Sequence, residues 1–257
     1  MATGSLTMED AVRLPLSLTD LPALKSDLRK ANIDVQAARR IEGAARGFGY
    51  GSYATMRLAL QDGIQVVEPD DAVFADYIGF TADEYGPRTL SRALARVAVR
   101  SVMEREPQLT ERGYDTVWPR FSDERKMTLD ERKAAFAKRR EDTLHDNSMD
   151  EFELAWIYLS MQQRRKTINM DFGSYGLKHR AENLSRKQGQ YTHLGDYVSN
   201  GMFIIAALAC GFEAKQIDYG PNACFNISSK TIRATAGHPI MTRRDQGRLF
   251  AMAMASA

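Results

Sequence analysis

The sequence predicts a mainly helical α+β protein, and three observations carry that prediction. Apolar residues recur three and four apart along most of the chain, the spacing of one helix face. Only residues 212–235 look extended, with a Gly-Pro-Asn turn set between two apolar runs. At 257 residues, 44% hydrophobic and 26% charged, the chain can bury a core for one large or two small domains.

Residues 18–60 read as an N-terminal helical unit. Leu21, Leu24 and Leu28 share a face behind the capping pair Thr19-Asp20, and a second helix runs from Val35 to Arg46 with Ala38, Ile41 and Ala45 inward. Gly47 stands where a helix C-cap belongs, and Ser52 caps a third helix that buries Met56 and Leu60. The run Gly47-Phe48-Gly49-Tyr50-Gly51-Ser52 resembles a phosphate-cradling loop. Such a loop needs a buried strand before it, however, and the preceding "AARRIEGAAR" is helical in pattern, so the glycines make a corner between helices.

Residues 61–85 hold Asp62, Glu68, Asp70, Asp71 and Asp76 and read as an acidic linker. The main domain is expected over 86–241. It opens with a helix over 88–105 that turns Leu90, Leu94, Val97 and Met103 inward, between Gly86-Pro87 and Pro107. A charged helix spans 122–142. A third, over 150–168, carries Phe152, Trp156, Leu159 and Gln163 on one side and ends in Arg164-Arg165-Lys166, where cations suit the helix dipole. A glycine turn leads to a helix from Ser174, then a buried helix from Asn200 to Cys210 with Gly211 as its C-cap. Strands follow at Glu213–Asp218 and after the Gly-Pro-Asn turn, and 242–257 form a tail or terminal helix.

Chemistry concentrates in the second half. Residues 161–200 contain seven basic groups against three acidic ones, and Arg164, Arg165, Lys166, Lys178 and Arg180 define a basic face able to meet phosphates. On the helix from Ser174, Tyr175, Lys178, His179 and Glu182 fall on one side. His179 could serve as a base, Tyr175 or Ser199 as nucleophile or donor, and Lys178 as a stabiliser of negative charge. No histidine pattern fits a metal and no cofactor motif stands out. Cys210 and Cys224 sit in apolar surroundings without ligand spacing, which suits a reducing compartment. The start "MATGSLTMED" lacks a signal-peptide pattern and the longest apolar run, Met202 to Cys210, is too short for a membrane span, so a cytoplasmic location is expected.

Three resemblances add to this. Leu24-Lys25, Leu28-Arg29, Asn32-Ile33, Gly47-Phe48 and Tyr53-Ala54-Thr55-Met56 resemble a small helical domain at the N-termini of bacterial proteins, some of them called glyoxalase-superfamily; no glyoxalase ligand set follows it here. Ser174–His179 ("SYGLKH"), Tyr197–Gly201 ("YVSNG") and Gly220–Ala223 ("GPNA") resemble a group of proteobacterial proteins encoded on plasmids and other mobile elements, which implies a setting rather than a reaction. Gln246, Leu249 and Phe250 resemble the Gln-x-x-Leu-Phe peptide that docks on the bacterial sliding clamp. The same residues also suit a terminal helix capped by Thr242 and Asp245 that packs Leu249 and Phe250 on the core.

Two functions are therefore expected. The first is a non-enzymatic interaction protein of a mobile-element or phage-defence setting. It would bind nucleic acid or a bacterial replication or defence protein through the basic face, with the sliding clamp as the partner its tail would dock on. The second is an enzyme built on Tyr175, Lys178, His179 and Ser199, for which these groups must share a concave pocket.

Overall fold

A computed structural model describes residues 13–31, 34–80, 88–120, 122–188 and 191–235. The fold is α+β and mainly helical, with small antiparallel sheets. It divides into two compact units, Met1–Ser101 and Val102–Ala257.

In the first unit, β1 (Leu14–Leu16) pairs antiparallel with β2 (Gln65–Val67). Helices α1 (Leu21–Lys30), α2 (Ala37–Gly47), α3 (Tyr53–Gln61) and α4 (Asp71–Ile78) enclose Leu24, Leu28, Met56 and Phe74. Ser52 caps α3 as expected, accepting the Thr55 N–H at 3.1 Å. The corner before it departs from expectation in detail. Gly49, not Gly47, adopts the left-handed conformation, with φ of 82°. Gly47 is the last residue of α2, and a Cβ there would lie 2.5 Å from a Leu90 methyl and 2.9 Å from the Asp70 carbonyl.

Within the expected acidic linker, the described residues up to 80 are instead folded: β2 and α4 occupy them, and α4 packs along α2 at Gly43. Its acids have structural tasks. Asp70 caps α4 through the Val73 N–H at 2.9 Å, and Asp71 accepts the Leu90 N–H at 2.6 Å at the start of α5 (Thr89–Arg105). Asp27 of α1, buried, is paired bidentately with Arg100 of α5.

The second unit begins with a hairpin of β3 (Leu109–Thr110) and β4 (Gly113–Tyr114). Thr128 and Glu131 form a capping box, which divides the expected helix over 122–142 into a 3-10 turn at Glu124–Lys126 and α6 (Leu129–Asp142). Helix α7 spans Asp146–Ser160, and α8 and α9 span Ser174–Gln188 and Asn200–Ala209. A sheet of β5 (Arg164–Gly173), β7 (Ala223–Ile227) and β6 (Ala214–Gln216), in that order, is antiparallel throughout; α10 (Ser229–Ala234) follows it. Helix α9 is buried from Asn200 to Ala207, and its Phe203 meets Tyr158 of α7 and Phe225 of β7 with ring centres 6.2 and 5.9 Å apart.

Here the sequence misled. Arg164-Arg165-Lys166 do not end α7 but open β5, one of the two outer strands of the sheet. Pairing along β5 is interrupted, with aligned residues only at Arg164, Asn169 and Gly173. The buried Asn169 side chain bridges one gap by donating to the Ile227 carbonyl and to Ser229, both at 2.9 Å.

Candidate functional site

The three sequence words of the second half meet at one buried node. Ser174, the first residue of α8, donates its hydroxyl to the Asn200 side-chain oxygen at 2.7 Å and accepts the Ala223 N–H at 3.1 Å. Asn200 in turn donates to the carbonyls of Arg112 and Pro221 at 3.1 and 2.9 Å. The Gly201 N–H bonds the Glu111 carbonyl at 2.8 Å. A Cβ on Gly201 would lie 1.8 Å from the Thr110 carbonyl oxygen, so only glycine allows the hairpin to rest against the start of α9. The node fixes the starts of α8 and α9 against the β3–β4 hairpin, and the ground above them is concave.

That concavity is a cleft of about 1130 Å³. Helix α8 supplies Tyr175, Lys178, His179, Glu182 and Arg186; α7 supplies Ser148 and Glu151; the segment before α9 supplies Tyr197 and Ser199; and Glu111 belongs to the hairpin turn. Glu182 is its electrostatic centre, with a side chain 1% exposed. It accepts from Lys178 Nζ at 2.8 Å, from His179 Nδ1 at 2.6 Å and from the Val198 N–H at 3.2 Å, and Arg186 lies 3.4 Å away. Burial alone pushes its carboxyl up. The bonds from Lys178, His179 and Val198, together with the Lys178 charge, outweigh burial and hold it below the ordinary carboxylate value.

Glu151 stands in the opposite condition. Burial raises its carboxyl and the nearby Glu111 charge adds to the effect, against a 2.8 Å bond from the Ser199 N–H, a bond from the Ser199 side chain and the Lys178 charge. Lys178 Nζ is flanked by the rings of Tyr197 and Tyr175, at 4.9 and 5.4 Å from their centres. The Tyr175 ring meets His179 edge-on at 4.9 Å. Burial, followed by the charges of Glu151, Glu182 and Glu111, raises the Tyr197 hydroxyl.

Of the residues singled out in the sequence, Tyr175, Lys178, His179 and Ser199 all line this cleft. Ser199 also caps α9 by accepting the Met202 N–H at 3.3 Å. The five basic residues expected on one face are not gathered there. Arg164, Arg165 and Lys166 are exposed on β5, whereas Lys178 and Arg180 are each only 4% exposed. Arg164 donates to the Cys210 carbonyl at 2.5 Å over the Phe212 ring, and Arg180 donates to the Ile232 carbonyl. Gln246, Leu249 and Phe250 lie outside the described residues.

Glu151, Glu111 and Tyr197 were missed as site residues. In sequence Glu151 is one of four acids in the first half of α7, and nothing local separates it from Asp150 or Glu153. Among the described residues no group of three or more His, Cys, Asp or Glu side chains could hold a metal ion, and no helix is long and apolar enough to cross a membrane. Comparison with known protein families, curated proteins and solved structures finds no match to this chain.

Proposed function

We propose that the cleft is the active site of an enzyme that moves protons on a small polar substrate. The observation that carries the proposal is the pair Glu182 and Glu151, two carboxyls in one cleft driven in opposite directions by their surroundings. Such a divergence makes Glu182 the more acidic of the two and Glu151 the more readily protonated, the ordering that acid–base chemistry needs.

The roles follow from geometry. An ionised Glu182 can only accept, so His179 donates to it from Nδ1, and a neutral ring in that tautomer carries its lone pair on Nε2. The His179 side chain is 43% exposed, which leaves it open to a ligand in the cleft as proton acceptor. Glu151, the more readily protonated of the two carboxyls, is the group placed to donate a proton. Glu182 is a positioning residue, and Lys178, tied to Glu182 and flanked by two tyrosines, offers positive charge where negative charge develops.

The test is to incubate the purified protein with a small-molecule extract of its host and follow metabolites by mass spectrometry, beside His179→Asn and Glu151→Gln. At least one metabolite should be consumed by the parent and spared by both variants. A parent that consumes nothing, or a change that persists in both variants, overturns the proposal.

A further inference from the structure

Resting on that proposal, we infer that the ligand of the cleft is a neutral polyhydroxylated compound, a saccharide, rather than a phosphorylated or an apolar one. Three features of the lining point there. The first is charge balance. The carboxylates of Glu111, Asp115, Asp123, Glu151 and Glu182 face the cations of Arg112, Arg120, Lys178 and Arg186 and the imidazole of His179.

The cations are, moreover, already engaged within the protein. Lys178 and Arg186 share Glu182, Arg112 holds Glu124 at 2.7 Å, and Arg120 donates to the Tyr114 and Tyr219 carbonyls at 2.8 and 2.7 Å. A phosphate entering here would find these donors already bonded within the protein and several carboxylates repelling it.

The second feature is the absence of aliphatic lining. Among the described lining residues the apolar side chains are those of Tyr175, Tyr197 and Pro221, and none is aliphatic in the manner of Leu, Ile, Val or Met. Tyr175 and Tyr197 are 57% and 55% exposed, and flat rings standing open to solvent offer a face to the C–H side of a sugar ring. A lipid or aliphatic acid would meet no matching wall.

The third feature is directional polarity. Ser122, Ser148, Asn222, Glu111 and Asp123 put hydroxyl, amide and carboxylate groups around the same space. Groups of this kind read adjacent hydroxyls, each of which both donates and accepts.

Saturation-transfer NMR on the full chain tests the inference with three sets of probes. These are neutral oligosaccharides (maltotriose, cellotriose, xylotriose and chitotriose), the anions glucose 6-phosphate and AMP, and octanoate as the apolar probe. At least one neutral oligosaccharide should show transfer, and Tyr197→Ala should weaken its Kd roughly tenfold, the scale of a lost ring contact. Tyr175→Ala provides a second variant, and unchanged tryptophan emission confirms that each variant is folded. Transfer confined to the anions or to octanoate overturns the saccharide inference and leaves the proton-transfer proposal standing. Absence of transfer in every set also overturns the inference, and the metabolite experiment then decides the proposal independently.

Discussion

Replacing Glu182 with Gln should cost the second unit a large part of its stability. Gln keeps the shape and an acceptor for the Val198 N–H, but it removes the charge that compensates Lys178, whose side chain is only 6% exposed. Removing one partner of a buried ion pair costs about 3–5 kcal/mol because the other charge is left uncompensated. The retained amide oxygen places the expectation near the lower end, about 3 kcal/mol. Both tryptophans, Trp118 and Trp156, belong to the second unit, so their fluorescence in a urea titration reports on it directly. With a slope of roughly 2 kcal/mol per M, the midpoint should fall by about 1.5 M.

Two controls sharpen the experiment. Lys178→Met in the Glu182→Gln background removes the stranded cation and should restore more than half of the loss. The pH dependence has a definite sign. Because the folded carboxyl lies below its ordinary value of 4.5, its contribution is full above that value and fades as the pH falls through the lowered one. The parent should therefore lose stability on acidification more steeply than Glu182→Gln. A midpoint shift under about 0.5 M, or no rescue by Lys178→Met, would refute the assignment of Glu182 as the electrostatic centre.

Glu151→Gln should act in the reverse sense: a carboxyl raised by burial stabilises below its ordinary value and ceases to do so as the pH climbs through its raised one, so the variant should match or exceed the parent's urea midpoint at pH 8 and gain less at pH 4. Gly201→Ala forces a methyl into the Thr110 carbonyl and should cost at least about 1–3 kcal/mol in the same titration; parent-like stability would show that the hairpin does not rest on α9. Ser52→Ala removes the cap of α3 and should cost about 1 kcal/mol, read as a lower circular-dichroism melting temperature; an unchanged melt would show that the hydroxyl bond to Thr55 contributes nothing.

The first unit was largely legible in the sequence because its helix ends are written locally. Ser52 does what its position announces, and the glycine corner was misplaced by only two residues. Helix α4 escaped because eight residues give a periodic pattern little room, and because Asp70 and Asp71 read as solvent-loving charges when they are caps. Strand β5 escaped for a different reason. A strand announces itself by alternation, and a strand that pairs only at Arg164, Asn169 and Gly173 has lost it.

The candidate site divides in the same way. Tyr175, Lys178, His179 and Glu182 are one turn apart on a single helix, so spacing alone aligned them. Glu111, Glu151 and Tyr197 come from three other segments, and only the packing of α7, α8 and the hairpin brings them to that helix. Likewise, the basic face failed as a grouping because Lys178 and Arg180 are turned inward, which a count of charges along the chain cannot register.

The outer position of β5 gives Arg164, Arg165 and Lys166 a task that involves no ligand. An unpaired strand edge is a template for another copy's edge, and among the described residues no strand covers this one. If two copies aligned parallel and in register along it, each cationic run would lie against the other. The repulsion would be strongest at low salt and would fade as the Debye length contracts from about 10 Å at 0.1 M to about 3 Å at 1 M. The run thus opposes parallel, in-register growth of the sheet from this edge, and concentrated salt is the condition under which that opposition weakens.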